Sequence, residues 1–350
     1  MSLELLESLD DARAFEATHR FADLGTFHVP FDELTASEST EAALKATAEQ
    51  GGKLALIGRS GAGKSSVIAS VLGPLTEDLA EQIIPIRIPV AAEDAETATN
   101  PGAFARHLLR TVIRYATEIL SDEERQAAGR AAADRISRQG RQRTHRFTFG
   151  APKLVADAGL ASEVKSGAEE FVNETSAGDA VDGVARLIEV FRSHEREPFL
   201  IIDDSDRWIR IGDHDLLEIA DAFFMGIVPM LARESGCGFV IAVHDEYLGL
   251  PSYRTAQELL TRTVALPLPV DPNAAIATIL DKRMELAGAM TTTPELLEPG
   301  AADLLGERYR EDRSLRRMLA AVDRATQRGC ADGADILSPD LIQTAFADLL

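Results

Sequence analysis

Residues 55–67 read ALIGRSGAGKSSV. An apolar run gives way to three glycines, then to a lysine and two serines, and the apolar run resumes. Gly58, Arg59, Ser60, Gly61, Ala62, Gly63, Lys64 and Ser65 fit the spacing G-x-x-x-x-G-K-[ST]. A strand-like segment precedes the motif and a helix-like one, KSSVIASVLG, follows it. Each residue type has a physical reason to be there. Glycine admits left-handed backbone that turns successive N–H groups inward. Those amides and the helix N-terminus suit a phosphate. Lys64 can reach β- and γ-phosphates, the Ser65 hydroxyl suits Mg²⁺, and Ser66 closes the binding stretch. The expectation is a phosphate cradle for a nucleotide.

Such a loop calls for an acid at the end of a buried strand. PFLIIDDSDRW, residues 198–208, supplies Asp203 and Asp204 after an apolar run, in a strand expected beside that of the loop. Asp203 is expected to hold Mg²⁺ through water, and Asp204 to orient or deprotonate the attacking water. Aspartate at 204 is shorter than the glutamate common in hydrolytic pairs, which leaves open a nucleotide-binding scaffold that hydrolyses little. A further strand, VIAVHDEYLG, ends in His244 and Asp245. One of the two is expected to sense the γ-phosphate or position the water, at the ligand edge of a parallel sheet.

The frame around these motifs is α/β. Five short apolar runs, KLALIG (53–58), IIPIRIPV (83–90), FLIIDD (199–204), CGFVIAV (237–243) and TVALPLP (263–269), read as strands buried on both faces. Helical patterns separate them, as in a parallel sheet. From about residue 271 the pattern is purely helical, and its last helix opens on Ser338-Pro339. The organisation expected is an N-terminal segment (1–35), an α/β domain (36–270) with an insertion at about 121–180, and a helical lid (271–350). HRFTFGAPKLVADAG, within the insertion, reads as a hairpin.

Bulk properties narrow the partners. The net charge of −21, from 57 acidic and 36 basic residues, repels nucleic acid and anionic lipid at long range. One patch runs against it: Arg135–Arg146, RISRQGRQRTHR, carries five arginines and no acid. It is the place where nucleic acid, an acidic partner or an acidic surface of a neighbouring copy would bind, a solvated segment being the plainer alternative, and it lacks the aromatics of a base-stacking surface. Two cysteines fit a reducing cytoplasm better than a disulfide framework. No apolar run approaches the roughly 20 residues of a membrane span. No [NT]-K-x-D guanine-reading motif follows the loop, so ATP is expected.

LIIDDSDRW followed by FVIAVHDEYL resembles the paired signatures of KAP-type P-loop ATPases, and the chain is similar to the wider AAA+ and STAND ATPases. The resemblance covers roughly residues 27–350 and implies an oligomeric ATPase that acts as a nucleotide-controlled switch or assembly ATPase on a protein partner. ELLTRTVALPLP resembles the AAA+ segment that carries an arginine finger ahead of the fifth strand, which implies that role for Arg262, with Arg207 a second candidate. DRSLRRML resembles the second-sensor helix of replication-initiator lids and points to Arg316. By the same resemblance FHVPFDEL wraps the adenine, with His28, Val29 and Pro30 nearest. The chain departs from the KAP pattern in having no transmembrane insertion between the two Walker motifs, and in Ser205 where leucine is usual. A DNA-associated ATPase is the other reading. A small-molecule kinase is disfavoured by the helical lid and by the arginine before the fifth strand.

Overall fold

The structure, a computed structural model, describes residues 2–17, 20–35, 39–73, 82–89, 95–119, 175–203, 205 and 214–349. Asp204, Arg207, the Arg135–Arg146 patch, the expected hairpin and most of the expected insertion lie outside the described residues.

Five strands form one parallel sheet in the order β2-β3-β4-β1-β5. They are β1 (Lys53–Ile57), β2 (Ile83–Arg87), β3 (Glu197–Ile202), β4 (Gly238–Val243) and β5 (Arg262–Ala265). Leu200 of β3 pairs with Ile86 on one side and Phe239 on the other. The N–H of Thr261 donates to Lys53 O, and that of Leu266 to Ile57 O, both at 2.8 Å, so β1 and β5 advance together. Burial follows position in the sheet: all six residues of β4 are buried, whereas the outer positions of edge strand β5 are exposed. The order corrects one expectation. β3 does not adjoin β1, because β4 lies between them. GFVIAV is apolar throughout, and an interior place removes it fully from water.

By internal contacts the chain divides into two compact units. The first comprises Met1–Ala46, Leu56–Pro74 and Val264–Leu350. It holds the phosphate loop, the helix Lys64–Leu72, and the helical region Pro272–Leu286, Thr293–Leu296, Pro299–Asp312, Leu315–Asp332 and Pro339–Ala347. Side chains start these helices as the sequence suggests. Asp271 accepts from the N–H groups of Asn273 and Ala274, Ser314 from that of Arg317, and Ser338 from that of Leu341 ahead of Pro339. Leu280, Met284, Leu305, Val322 and Phe346 form the core, and Leu6 and Leu9 of the first helix, Ser2–Asp11, are buried in the same cluster.

The second unit comprises Thr47–Ala55 and Leu75–Thr263. Here the helices Pro101–Ile119 and Ala177–Ser193 pack together, with Leu109 against Gly183. A π-helical turn, Phe223–Ile227, joins the helices His214–Ala222 and Val228–Glu234. It sets the Phe224 ring edge-on to Tyr247 and Tyr253. Among the described residues no helix is long and apolar enough to cross a membrane.

Candidate functional site

The phosphate loop leaves β1 at Ile57 and enters its helix at Lys64. Gly61 (φ 75°) and Gly63 (φ 105°) occupy left-handed backbone that other residues adopt only with strain. Gly63 is the N-cap, and no side chain caps the helix there, so the first-turn amides are the donors an incoming anion meets. Lys64 is 7 % exposed, and its ammonium folds back to donate to the carbonyls of Gly58 (2.6 Å) and Arg59 (2.9 Å). Ser65 and Ser66 follow in the first turn, both half-buried.

The lid helix begins on this loop. The N–H of Arg316 donates to Gly61 O at 3.2 Å. A Cβ on Gly61 would collide with Ser314 Oγ and come within 2.8 Å of Arg316 Cβ. Of the two adjacent arginines, Arg317 is held by Asp312 at 2.8 Å, while Arg316 is exposed.

The N-terminal segment meets the P-loop helix from another side. His28 Nδ1 lies 3.0 Å from Ser66 Oγ, and its Nε2 2.7 Å from Glu41 Oε1. Glu41 also accepts from the Phe31 N–H and from Ser39 Oγ, each at 3.0 Å. Burial raises its pKa, but these hydrogen bonds, His28's first, outweigh that and bring it down to about 2. Val29 is buried in the same core cluster as the lid residues.

In the second unit Asp203 ends β3 with only 2 % exposure, and Arg87 Nη2 stands 3.8 Å from its Oδ2. A charged carboxylate can be kept in so dry a place when a cation stands by. Ser205 is buried and donates to Ala242 O, tying the end of β3 to β4. His244, at the end of β4, is 5 % exposed; its Nδ1 accepts the Glu246 N–H at 3.2 Å and lies 3.1 Å from Asp245 Oδ1. The ring stands edge-on to Tyr247. Arg262 opens β5 and is exposed. The Ser65 hydroxyl in the first unit and the Asp203 carboxylate in the second are each, taken separately, a hard oxygen donor of the class Mg²⁺ takes.

No family model and no curated protein sequence matches the chain. Solved structures do. The ORC2 protein of Aeropyrum pernix in its ADPNP–ADP complexes aligns with a TM-score of 0.51 at 16% identity, over 88% of this chain and 66% of that one. Its ADP form aligns with a TM-score of 0.50 at 15% identity, over 88% and 67%. This is a P-loop fold with a helical lid. The chain spans just under two thirds of the first of those chains, and at such identity the likeness is one of fold.

Two residues of this P-loop protein escaped the sequence reading. Arg87 carried a signal, as a charge closing an otherwise apolar strand. Glu41 carried none, since it reads as an ordinary acid in the first turn of the helix Thr40–Glu49.

Proposed function

We propose that the protein is an ATP-binding, ATP-hydrolysing member of the AAA+ class that works as a nucleotide-controlled switch or assembly ATPase on a protein partner. The observation that carries this reading is the joint between Gly61 and Arg316: the loop built for phosphate is the surface on which the lid helix starts. A ligand that alters the loop therefore alters the seat of the lid, which is how differential contacts with ATP and ADP become a change of shape. Lys64 and the loop amides take the phosphates, and Ser65 and Asp203 hold Mg²⁺. When bound, the ion neutralises charge on the phosphates. Asp204 activates water, and His244 or Asp245 reads the γ-phosphate. Arg262 serves a neighbouring subunit of a homo-oligomer, and Arg316 completes the contact from the lid. His28 and Val29 remain part of the proposed adenine-side contact. The KAP-type assignment rests on the two sequence signatures alone.

The test is ATP binding and hydrolysis by the purified chain, with Lys64→Ala as the blank. Binding and turnover that vanish in Lys64→Ala support the reading. Equal signals in both proteins sink it. Binding without turnover selects the scaffold.

A second reading, a DNA-associated ATPase, is favoured by the likeness to the ORC2 protein and by the replication-initiator character of DRSLRRML. The charge of −21 weighs against it. Binding to duplex DNA that weakens steeply with salt, and that is lost when the arginines of residues 135–146 are neutralised, would favour it over the protein-partner reading.

A further inference from the structure

The segment from Gly25 to Phe31 lies antiparallel along the P-loop helix, touching it every third residue. A Cβ on Gly25 would stand 2.9 Å from Ala69 O, so only glycine lets the two backbones come this close. Three residues on, His28 meets Ser66. Three further, the Phe31 ring lies 3.8 Å from where a Cβ on Gly63 would be. The intervening side chains turn to the lid: Phe27 lies 4.2 Å beneath the Arg283 guanidinium, and Val29 enters the lid core.

His28 is the polar member of this row. A carboxylate only accepts, so His28 Nε2–H donates to Glu41. In the neutral ring Nδ1 is then an acceptor 3.0 Å from Ser66 Oγ. The Ser66 hydroxyl, whose other acceptor is Leu24 O at 3.4 Å, donates to one of the two, so either way Ser66 is held against the Gly25–Phe31 segment and its neighbour Leu24. Glu41 is itself fixed by the Phe31 N–H and Ser39. The His28 and Glu41 side chains are 6% and 15% exposed, so water competes little for these bonds. The chain of contacts ends one residue from Ser65. Neighbouring residues on a helix are about 100° apart and share one rigid backbone, so pinning Ser66 fixes the direction in which Ser65 projects.

We propose that Glu41, His28 and Ser66 form a positioning relay that aims the Ser65 hydroxyl at the magnesium ion of the bound nucleotide. This rests on the ATP-binding reading above. The phosphates are held by loop amides and Lys64, which the relay does not touch; the metal contact is the part that depends on the aim of Ser65. Outer partners of metal ligands typically contribute 10–100-fold in metal affinity.

The experiment titrates a fluorescent ATP analogue into wild type, Glu41→Gln, Ser66→Ala and Ser66→Thr, with Mg²⁺ and with EDTA. In wild type Mg²⁺ tightens binding. Glu41→Gln is expected to lose roughly tenfold or more of that tightening while keeping the affinity seen in EDTA. Ser66→Ala is expected to lose the same tightening, read as the ratio of its own affinities with Mg²⁺ and with EDTA, and Ser66→Thr, which retains the hydroxyl, to recover it. Equal losses with and without Mg²⁺ would mean that the contacts only hold the fold together, and the relay is then wrong. Unchanged variants beside a normal wild type also overturn it while leaving the ATP-binding reading intact. A wild type that binds no nucleotide removes both. Should Glu41→Gln fail to fold, the Ser66→Ala and Ser66→Thr pair decides alone.

Discussion

The backbone N–H of Arg316 donates to the carbonyl of Gly61, which ties the first turn of the lid helix to the centre of the phosphate loop. The bond is between main-chain groups, so no side-chain substitution at Arg316 other than proline removes the donor. Side-chain and main-chain contributions of the lid can therefore be separated by mutation.

Gly61→Ala attacks the main-chain joint. It places a Cβ against Ser314 and Arg316 in backbone at φ 75°. Gly288→Ala is the matched control, with φ 81°, nothing within 4 Å of the added carbon and a place outside the helix being read. The control should lose about 1 kcal/mol from backbone strain alone. Gly61→Ala should lose more and, unlike the control, should speed amide exchange in the helix Leu315–Asp332. Equal effects of the two would show that the lid does not depend on the joint.

Arg262 is exposed at the start of an edge strand. Specific ATPase activity is expected to climb with protein concentration, and Arg262→Ala to abolish the climb with a loss of about 10³-fold or more. Activity independent of concentration, or an active Arg262→Ala, would remove Arg262 from the shared site.

Arg87 and Asp203 form a pair whose acid is almost wholly buried. Arg87→Met should destabilise the protein, and much less so in an Asp203→Asn background. A double-mutant cycle by urea unfolding is expected to give a coupling of roughly 1 kcal/mol, and a value near zero would mean the pair is incidental.

Glu41 predicts an acid limb of stability. Its pKa falls from the ordinary 4.5 to about 2 on folding, so the folded state favours the ionised form. Its contribution is complete above pH 4.5 and is lost as pH falls from there towards 2. The stability gap between wild type and Glu41→Gln, measured by denaturant unfolding along a pH series, should be constant near neutrality and close on acidification. A gap that persists unchanged to about pH 2 would contradict the shift.

The strands were legible in the sequence because each is a short apolar run, but their ends were not. β2 stops at Arg87 and β5 at Ala265, short of the runs that suggested them, where Pro89, Pro267 and Pro269 supply no ladder N–H. Pro85 inside β2 is tolerated because β2 is an edge strand. The neighbour of β1 was misread because apolarity tells that a strand is interior, not which strand it adjoins. The phosphate loop was plain because its chemistry is local, eight residues in a fixed spacing. The His28 contacts were hidden for the opposite reason: they join residues 13 and 38 positions apart, each ordinary in its own setting.

The first unit is assembled from three separated pieces of chain, with Leu6 and Leu9 in one core with Val322 and Phe346. This imposes an order on biogenesis. The first helix leaves the ribosome hundreds of residues before the partners that shelter it, and until residue 346 has been made its leucines have no native place to go. The phosphate loop cannot acquire its lid contact until residue 316 has been made. The protein should thus become competent for ligand late and all at once, and a nascent chain arrested before residue 264 should present its amino-terminal helix to chaperones.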